Sequence, residues 1–334
     1  PVDYINSLQG DTICDLPALE SSSDLAGEDL DNIHCLAPCD LQAIKACGVT
    51  FATSMIERVI EERAGGDPER AAEVRRQIGE VIGGTLVDLV PGSERARSVK
   101  ELLIREGMWS QYLEVGIGPD AEVFTKAQPM SAVGWGARIG LHPNSKWNNP
   151  EPEVVLAVNS RGETVGATLG NDVNLRDVEG RSALLLGKAK DNNASASIGP
   201  FIRLVDDTFT MQTVRDCTVS LSVTGADGFS LEASSRMSEI SRDPLDLVAQ
   251  TIGDFHQYPD GFMLYLGTMF APVQDRDAPG DGFTHKVGDI VSISTPAIGK
   301  LVNRVDLSTN CTPWRFGTAA LMRSLAERGD NNNG

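Results

Sequence analysis

Residues 150–174, PEPEVVLAVNSRGETVGATLGNDVN, constrain the fold most. Two apolar stretches flank the turn residues Asn159, Ser160, Arg161 and Gly162, so the segment reads as a β-hairpin with a four-residue loop. The arm VVLAV is apolar without alternation, the pattern of a strand covered on both faces. A strand of that kind requires a sheet with layers on either side. A chain of 334 residues, 41% of them hydrophobic, has enough apolar side chain to supply them.

The hairpin carries its acids at the open end. With Val158 facing Glu163, Glu151 lies opposite Gly170 and Asp172 falls two residues beyond, about 7 Å along the strand. Glu151, Glu153 and Asp172 then share one face. Three carboxylates gathered at the end of an apolar hairpin repel one another and lose hydration unless a positive charge sits among them. A hard divalent cation meets that need, and all-oxygen donors without His or Cys favour Mg²⁺, with Mn²⁺ and Ca²⁺ as alternatives. The competing reading makes the three acids solvated residues on the rim of a hairpin. Downstream, ALLLGKAKDNNASASIGPF delivers Lys188 and Lys190, either surface lysines or groups able to face a substrate carboxylate or carry a proton beside a metal.

Elsewhere the pattern is mixed. Ile56, Val59 and Ile60 recur at helical spacing from Thr53, GGDPER marks a break with a new start at Asp67-Pro68, and Val99, Leu102, Leu103 and Ile104 predict a helix over 94–106. After Tyr112, short apolar runs broken by Gly, Pro, Asn and Asp predict strands and loops, interrupted by a single helix that starts at Asp243-Pro244. Residues 1–40, acidic and punctuated by Ser, Gly and Pro, read as a linker or the remnant of a small first domain, and residues 41–330 as the catalytic unit. Glu122, Phe124 and Lys126 share a strand face that either lines a pocket or holds a structural ion pair.

Charge and cysteine usage narrow the partners. A formal charge of −18 disfavours nucleic acid and anionic membranes, which are bound through basic surfaces. No window approaches the roughly 20 apolar residues of a membrane span, and a cytoplasmic location is expected. Six cysteines are few for the length and suit reduced thiols, and the spacing of Cys35, Cys39 and Cys47 lacks the paired knuckles of a zinc site.

The motifs ExE at Glu151 and Glu153, NDVNLRD containing Asp172, and KAKDNNASASIGP containing Lys190 together resemble the core of the fumarylacetoacetate hydrolase superfamily. The likeness runs over about residues 36–305 and includes LYLGTMFAP, in the place of a substrate-contacting "TGTPAG" loop, and FTHKVGDIVSIS. Within the superfamily, VTFATSMIERVIEERA, WNNPEPEVVL and HQYPDGFMLYLGTMFAPVQDRD are similar to the branch that dehydrates 2-keto-3-deoxy-pentonates. The resemblance implies an α+β, β-rich fold with a distorted mixed β-roll core and peripheral helices, in a homodimer or dimer of dimers. It implies Mg²⁺ held by Glu151, Glu153 and Asp172, with catalytic Lys190 and Glu57 and with Ser54 and Thr268 contacting the substrate. The reaction implied is dehydration of a xylonate- or arabinonate-derived 2-keto-3-deoxy-pentonate to 2,5-dioxopentanoate. One departure bears on the chemistry. Hydrolytic relatives carry "Y-x-D-H-x-x-E", where this chain reads FATSMIE, so Ser54 stands in the place of the water-activating histidine. A carbon–carbon hydrolase or decarboxylase acting on an acylpyruvate remains the alternative, and a structural cation site in a binding protein a third.

Overall fold

The computed structural model describes residues 2–23, 33–75, 89–278 and 282–331. Its strands are β1 (Ala43–Gly48), β2 (Glu122–Ala127), β3 (Arg138–Leu141), β4 (Pro152–Val158), β5 (Thr164–Asp172), β6 (Ala196–Leu204), β7 (Thr218–Thr224), β8 (Ser230–Arg236), β9 (Phe262–Tyr265), β10 (Ile290–Thr295) and β11 (Gly299–Leu307). They form a six-stranded sheet ordered β2-β1-β9-β4-β5-β6 and a five-stranded sheet ordered β3-β11-β10-β7-β8. The pairs β1/β9 and β3/β11 are parallel and the remaining ladders antiparallel, so both sheets are mixed.

The position of β4 explains its unbroken apolar run. Val154, Leu156 and Val158 join Val219, Leu221, Val291 and Ile293 of the second sheet in one core, while Val155 and Ala157 pack on the opposite face with Ile198, Met263 and Tyr265. β4 is flanked by β5 and β9, so neither edge is open and all seven of its residues are buried. Helices lie at the periphery, as the sequence implies.

The hairpin register differs from the sequence reading by two residues at its acidic end. Val158 pairs with Thr164, a bulge follows, and from there Glu153 faces Gly170 while the Asp172 N–H donates to the Glu151 carbonyl at 3.1 Å. The bulge inserts a residue that no turn motif announces. Together with a one-residue shift at the turn, where Val158 faces Thr164 instead of Glu163, it sets Glu151 directly across from Asp172. Gly170 is required at its position because a Cβ there would lie 2.3 Å from the Tyr265 ring.

Helix starts were read correctly where a cap announces them. Ser93 accepts the Ala96 N–H at 3.1 Å ahead of Glu94–Arg105, and Asp243 accepts Leu245 N–H at 2.8 Å ahead of Pro244–Thr251. The helix Ala52–Ala64 ends at Gly65, left-handed at φ 69°, and residues 68–75 start the next one. The expectation of a single helix after Tyr112 is overturned by Thr318–Asn331 and by short helices that include Arg176–Glu179 and Leu186–Lys190. These last two are only one turn long, too short for hydrophobic periodicity to show. In the segment 1–40, Val2–Ser7 and Leu16–Ser23 are helical, and residues 24–32 lie outside the described residues.

Candidate active site and metal centre

The acidic end of the hairpin is roofed by the helix Ala52–Ala64 and walled by β2, by the loop after β9 and by the helices Arg176–Glu179 and Leu186–Lys190. One ligand oxygen from each of Glu151, Glu153 and Asp172 can be chosen so that all three lie within 4.8 Å of one another, and all three side chains are buried. Glu151 and Asp172 border a cavity of about 10 Å³, room for one water or ion, also lined by Ser54, Arg58, Glu122, Phe124, Glu179, Lys190 and Thr268. Burial decides between the two sequence readings: the acids are not rim residues, since Glu151 and Glu153 are 0% exposed and Asp172 1%.

Each acid has a different set of partners, with Lys190 shared by two of them. Glu151 is engaged by Arg58 and Lys190, while Asp172 meets Lys190 at 3.1 Å and Lys126 at 3.0 Å. Glu153 meets two neutral donors among the described residues, the Gly267 N–H at 2.7 Å and the Thr268 hydroxyl at 3.3 Å. Gly267 can present that N–H because it adopts φ 103°, and a Cβ there would come 2.0 Å from the Thr50 hydroxyl.

The electrostatics follow from these pairings. Burial would raise the Glu151 pKa, but Lys190 and Arg58 outweigh it and bring it down to about 2. Burial raises Glu153 well above the carboxylate range, and the neighbouring Asp172 and Glu151 add to the effect. Burial also raises Glu122, and it lifts Glu179 to about 7 against the pull of Arg58, whose guanidinium lies 3.0 Å away. Lys190, despite burial, is held charged above the ordinary lysine range by Asp172 and Glu151, whereas burial lowers Lys126.

The donor set fits a divalent cation. Around the cavity, five fully buried carboxylates (Glu61, Glu151, Glu153, Asp172, Glu179) face four fully buried cations (Arg58, Lys126, Arg176, Lys190). With every acid ionised, Glu122 brings the excess to two negative charges, and Glu153, which forms no ion pair among the described residues, has an oxygen within 4.8 Å of oxygens of Glu151 and Asp172.

The structure thus brings Glu151, Glu153, Asp172, Lys190, Ser54 and Thr268 together. Glu57 lies outside this group. Its carboxylate points away from the cavity, clamped by Arg75 at 2.6 and 3.0 Å and by Arg176 at 3.0 Å, and these two arginines lower its pKa against the effect of burial. Arg58 and Glu61, which sequence reasoning missed, turn inward instead. Their spacing from Ser54, four and then three residues, places all three on one helix face, a signal available once Ser54 was assigned to the site. Glu122 and Phe124 line the cavity, and Lys126 makes a structural ion pair, so both readings of that strand face hold in part. A wider cleft of about 430 Å³, lined by Asn193, Ser308, Thr309, Cys311 and Trp314 among others, has Asp191 as its one carboxylate and no basic side chain.

The charged cavity yields one pH prediction. Because the folded-state pKa of Glu179 is raised, the stability it contributes is full below its unfolded value near 4.5 and is lost as pH rises through about 7. Melting temperatures measured in chelator across that range should show the wild type losing ground to Glu179→Gln as pH increases.

Residues 107–306 match the family model described as "Fumarylacetoacetate (FAA) hydrolase C-terminal". The chain is 31% identical over 213 residues to a probable 2-keto-3-deoxyxylonate dehydratase of Haloferax volcanii, covering 64% of this chain and 68% of that one. It is 29% identical over 184 residues to the 2-dehydro-3-deoxy-D-arabinonate dehydratase of Saccharolobus solfataricus, covering 55% and 58%. A solved 2-keto-3-deoxy-D-arabinonate dehydratase complexed with magnesium and 2,5-dioxopentanoate superimposes with TM-score 0.62 at 21% identity, over 92% of this chain and 87% of that one; the apo form gives 0.63 at 21%, over 91% and 86%. At that identity these structures establish a common fold.

Proposed function

The chain belongs to the fumarylacetoacetate hydrolase family, and we propose that it is a Mg²⁺-dependent hydro-lyase converting a 2-keto-3-deoxy-pentonate, of xylonate or arabinonate origin, to 2,5-dioxopentanoate. The observation that carries this reading is Glu153, a buried carboxylate that forms no ion pair among the described residues and whose oxygen lies within 4.8 Å of oxygens of Glu151 and Asp172, beside a cavity lined by a charged lysine. The curated relatives, both named as dehydratases of such acids, supply the substrate class.

Glu151, Glu153 and Asp172 would hold the ion, with Mn²⁺ and Ca²⁺ as alternatives. When bound, a divalent ion supplies Lewis-acid polarisation of a 2-keto acid and so acidifies the hydrogens on C3. The remaining work falls to this chain's own groups. Glu122 and Glu179, raised in pKa by burial, are suited to take a proton from C3 and return one to the hydroxyl leaving C4, so that the C3–H and C4–O bonds break and water departs. Moving one hydrogen from C5 to C3 then gives the C4–C5 enol, and transfer of its hydroxyl hydrogen to C4 leaves the C5 aldehyde. Lys190, fully charged, acts through its ammonium as electrostatic stabiliser or proton donor rather than as a base. The Ser54 hydroxyl already donates to the Phe51 carbonyl at 2.9 Å, so it offers its lone pairs, and the Thr268 hydroxyl completes the polar contacts.

Residues 41–330 form the catalytic unit in this proposal, and the six free cysteines suit a reducing compartment such as the cytoplasm. A homodimer or dimer of dimers belongs to the same reading, supported by exposed Trp314, Phe316, Met322 and Leu325 on the C-terminal segment and checked by sedimentation. The chemical test incubates purified protein and Mg²⁺ with both C4 epimers of the 2-keto-3-deoxy-pentonate and with an acylpyruvate. Loss of one water from an epimer, seen by mass spectrometry, supports the proposal. Cleavage of the acylpyruvate into two acids, with both epimers untouched, overturns it.

A further inference from the structure

We propose that Glu57 is a positioning residue: acting through Arg176, Glu61 and Arg58, it sets how much of the Glu151 carboxylate is free to bind a cation. The inference rests on the metal site proposed above.

A chain of alternating charges leads from the surface to the cavity. Arg75, whose side chain is 35% exposed, grips both oxygens of Glu57. Glu57 Oε2 accepts from Arg176 Nη2 at 3.0 Å, and Arg176 Nε donates to Glu61 Oε1 at 2.6 Å. The other oxygen of Glu61 accepts from Arg58 Nη1, and Arg58 Nη2 donates to Glu151 Oε1. Glu57, Arg58 and Glu61 come from one helix, whereas Arg176 comes from the turn that follows Asp172. The chain thereby connects the roof of the site to the hairpin that carries the acids. Arg176 is fixed further by the Pro272 carbonyl at 3.2 Å and by the Trp147 ring 4.4 Å beneath its guanidinium.

Burial gives these links their reach. Glu61 and Arg176 are 1% exposed, Arg58 7% and Glu151 0%, so salt and water screen them little and a charge change at one member is felt by the next. Glu61 is shared between two guanidiniums. If Glu57 is made neutral, Arg176 leans harder on Glu61, Arg58 loses part of that partner, and its attraction falls more heavily on Glu151. Glu151 then has less negative potential left for a metal ion. Removing Arg75 reverses the sequence: Glu57 draws Arg176 outward, Glu61 turns to Arg58, and Glu151 is released. Two substitutions remote from the acids should therefore shift metal affinity in opposite directions, an outcome that simple loss of packing does not produce.

The test is a calorimetric titration of Mn²⁺ into the full-length, chelator-stripped protein, each variant first checked for native circular dichroism. Glu57→Gln is expected to weaken Mn²⁺ binding about tenfold, in the range seen when partners of metal ligands are removed. Glu57→Asp, which keeps the charge, should recover part of the loss. Arg75→Gln, a partly exposed change that folding tolerates, is expected to tighten binding by about threefold. Affinities equal to wild type in folded Glu57→Gln and in Arg75→Gln overturn the proposal and leave the metal site standing. A wild-type chain that takes up no Mn²⁺ overturns both.

Discussion

Replacing Glu153 by glutamine is expected to abolish turnover and, at the same time, to make the metal-free protein more stable. Glu153 is fully buried, its two contacts are neutral donors, and Glu151 and Asp172 repel its charge. Glutamine keeps the shape and the acceptor oxygen while removing a charge that folding has to bury, a change expected to add about 1–2 kcal/mol. The same change removes an anionic oxygen from the metal set, with an expected loss of turnover beyond the roughly hundredfold that disturbing a ligand's partner costs. Chelator-treated samples compared by urea unfolding, alongside a Mg²⁺-dependent assay, check both halves. A variant that keeps full activity, or that unfolds more readily than wild type without metal, contradicts the assignment of Glu153 as the uncompensated ligand.

Lys190→Met should have the opposite effect on stability and the same effect on activity. Lys190 is the cation common to Glu151 and Asp172, so its removal leaves two buried carboxylates facing each other with only Arg58 and Lys126 to offset them. Breaking a buried pair of this kind costs on the order of 3–5 kcal/mol. Turnover is expected to fall by about 10²–10⁴, the span associated with losing a proton donor or acceptor. Added Mg²⁺ should restore part of the stability and none of the turnover, because a divalent ion can replace the missing positive charge without supplying a mobile proton. Full thermal stability of the methionine variant in chelator would show that the acids are not held together by this lysine.

These expectations depend on residues that differed in how visible they were beforehand. Glu151, Glu153 and Asp172 could be joined from the hairpin alone, because the register differs from the expected one by two residues, an even number that leaves side-chain parity unchanged. The pairing between the arms could not, since the bulge between Ala157 and Val158 adds a residue that no composition rule marks. Lys190 was visible through the resemblance of its motif. Arg58 and Glu61 were hidden because amphipathic periodicity locates the apolar face of a helix and is silent about which of its charges are buried. The orientation of Glu57 was hidden for the same reason: a motif gives a position in the chain, and here the side chain turns toward Arg75 and Arg176. The C-terminal helix Thr318–Asn331 escaped because it leaves Met322 and Leu325 exposed, blurring the stripe that marks a helix packed on its own core.

The ladders on either side of the hairpin carry one last implication. β4 is held by β9 over Val155–Val158 and β5 by β6 over Gly166–Asp172, and the irregularity in the pairing of β4 with β5 lies at the turn, about 20 Å along the strands from the acids. The tip is thus mechanically decoupled from the chemistry. Loop lengthening or circular permutation between residues 159 and 163 should be tolerated there, and a fluorophore or affinity handle placed at that turn would leave the carboxylates in register.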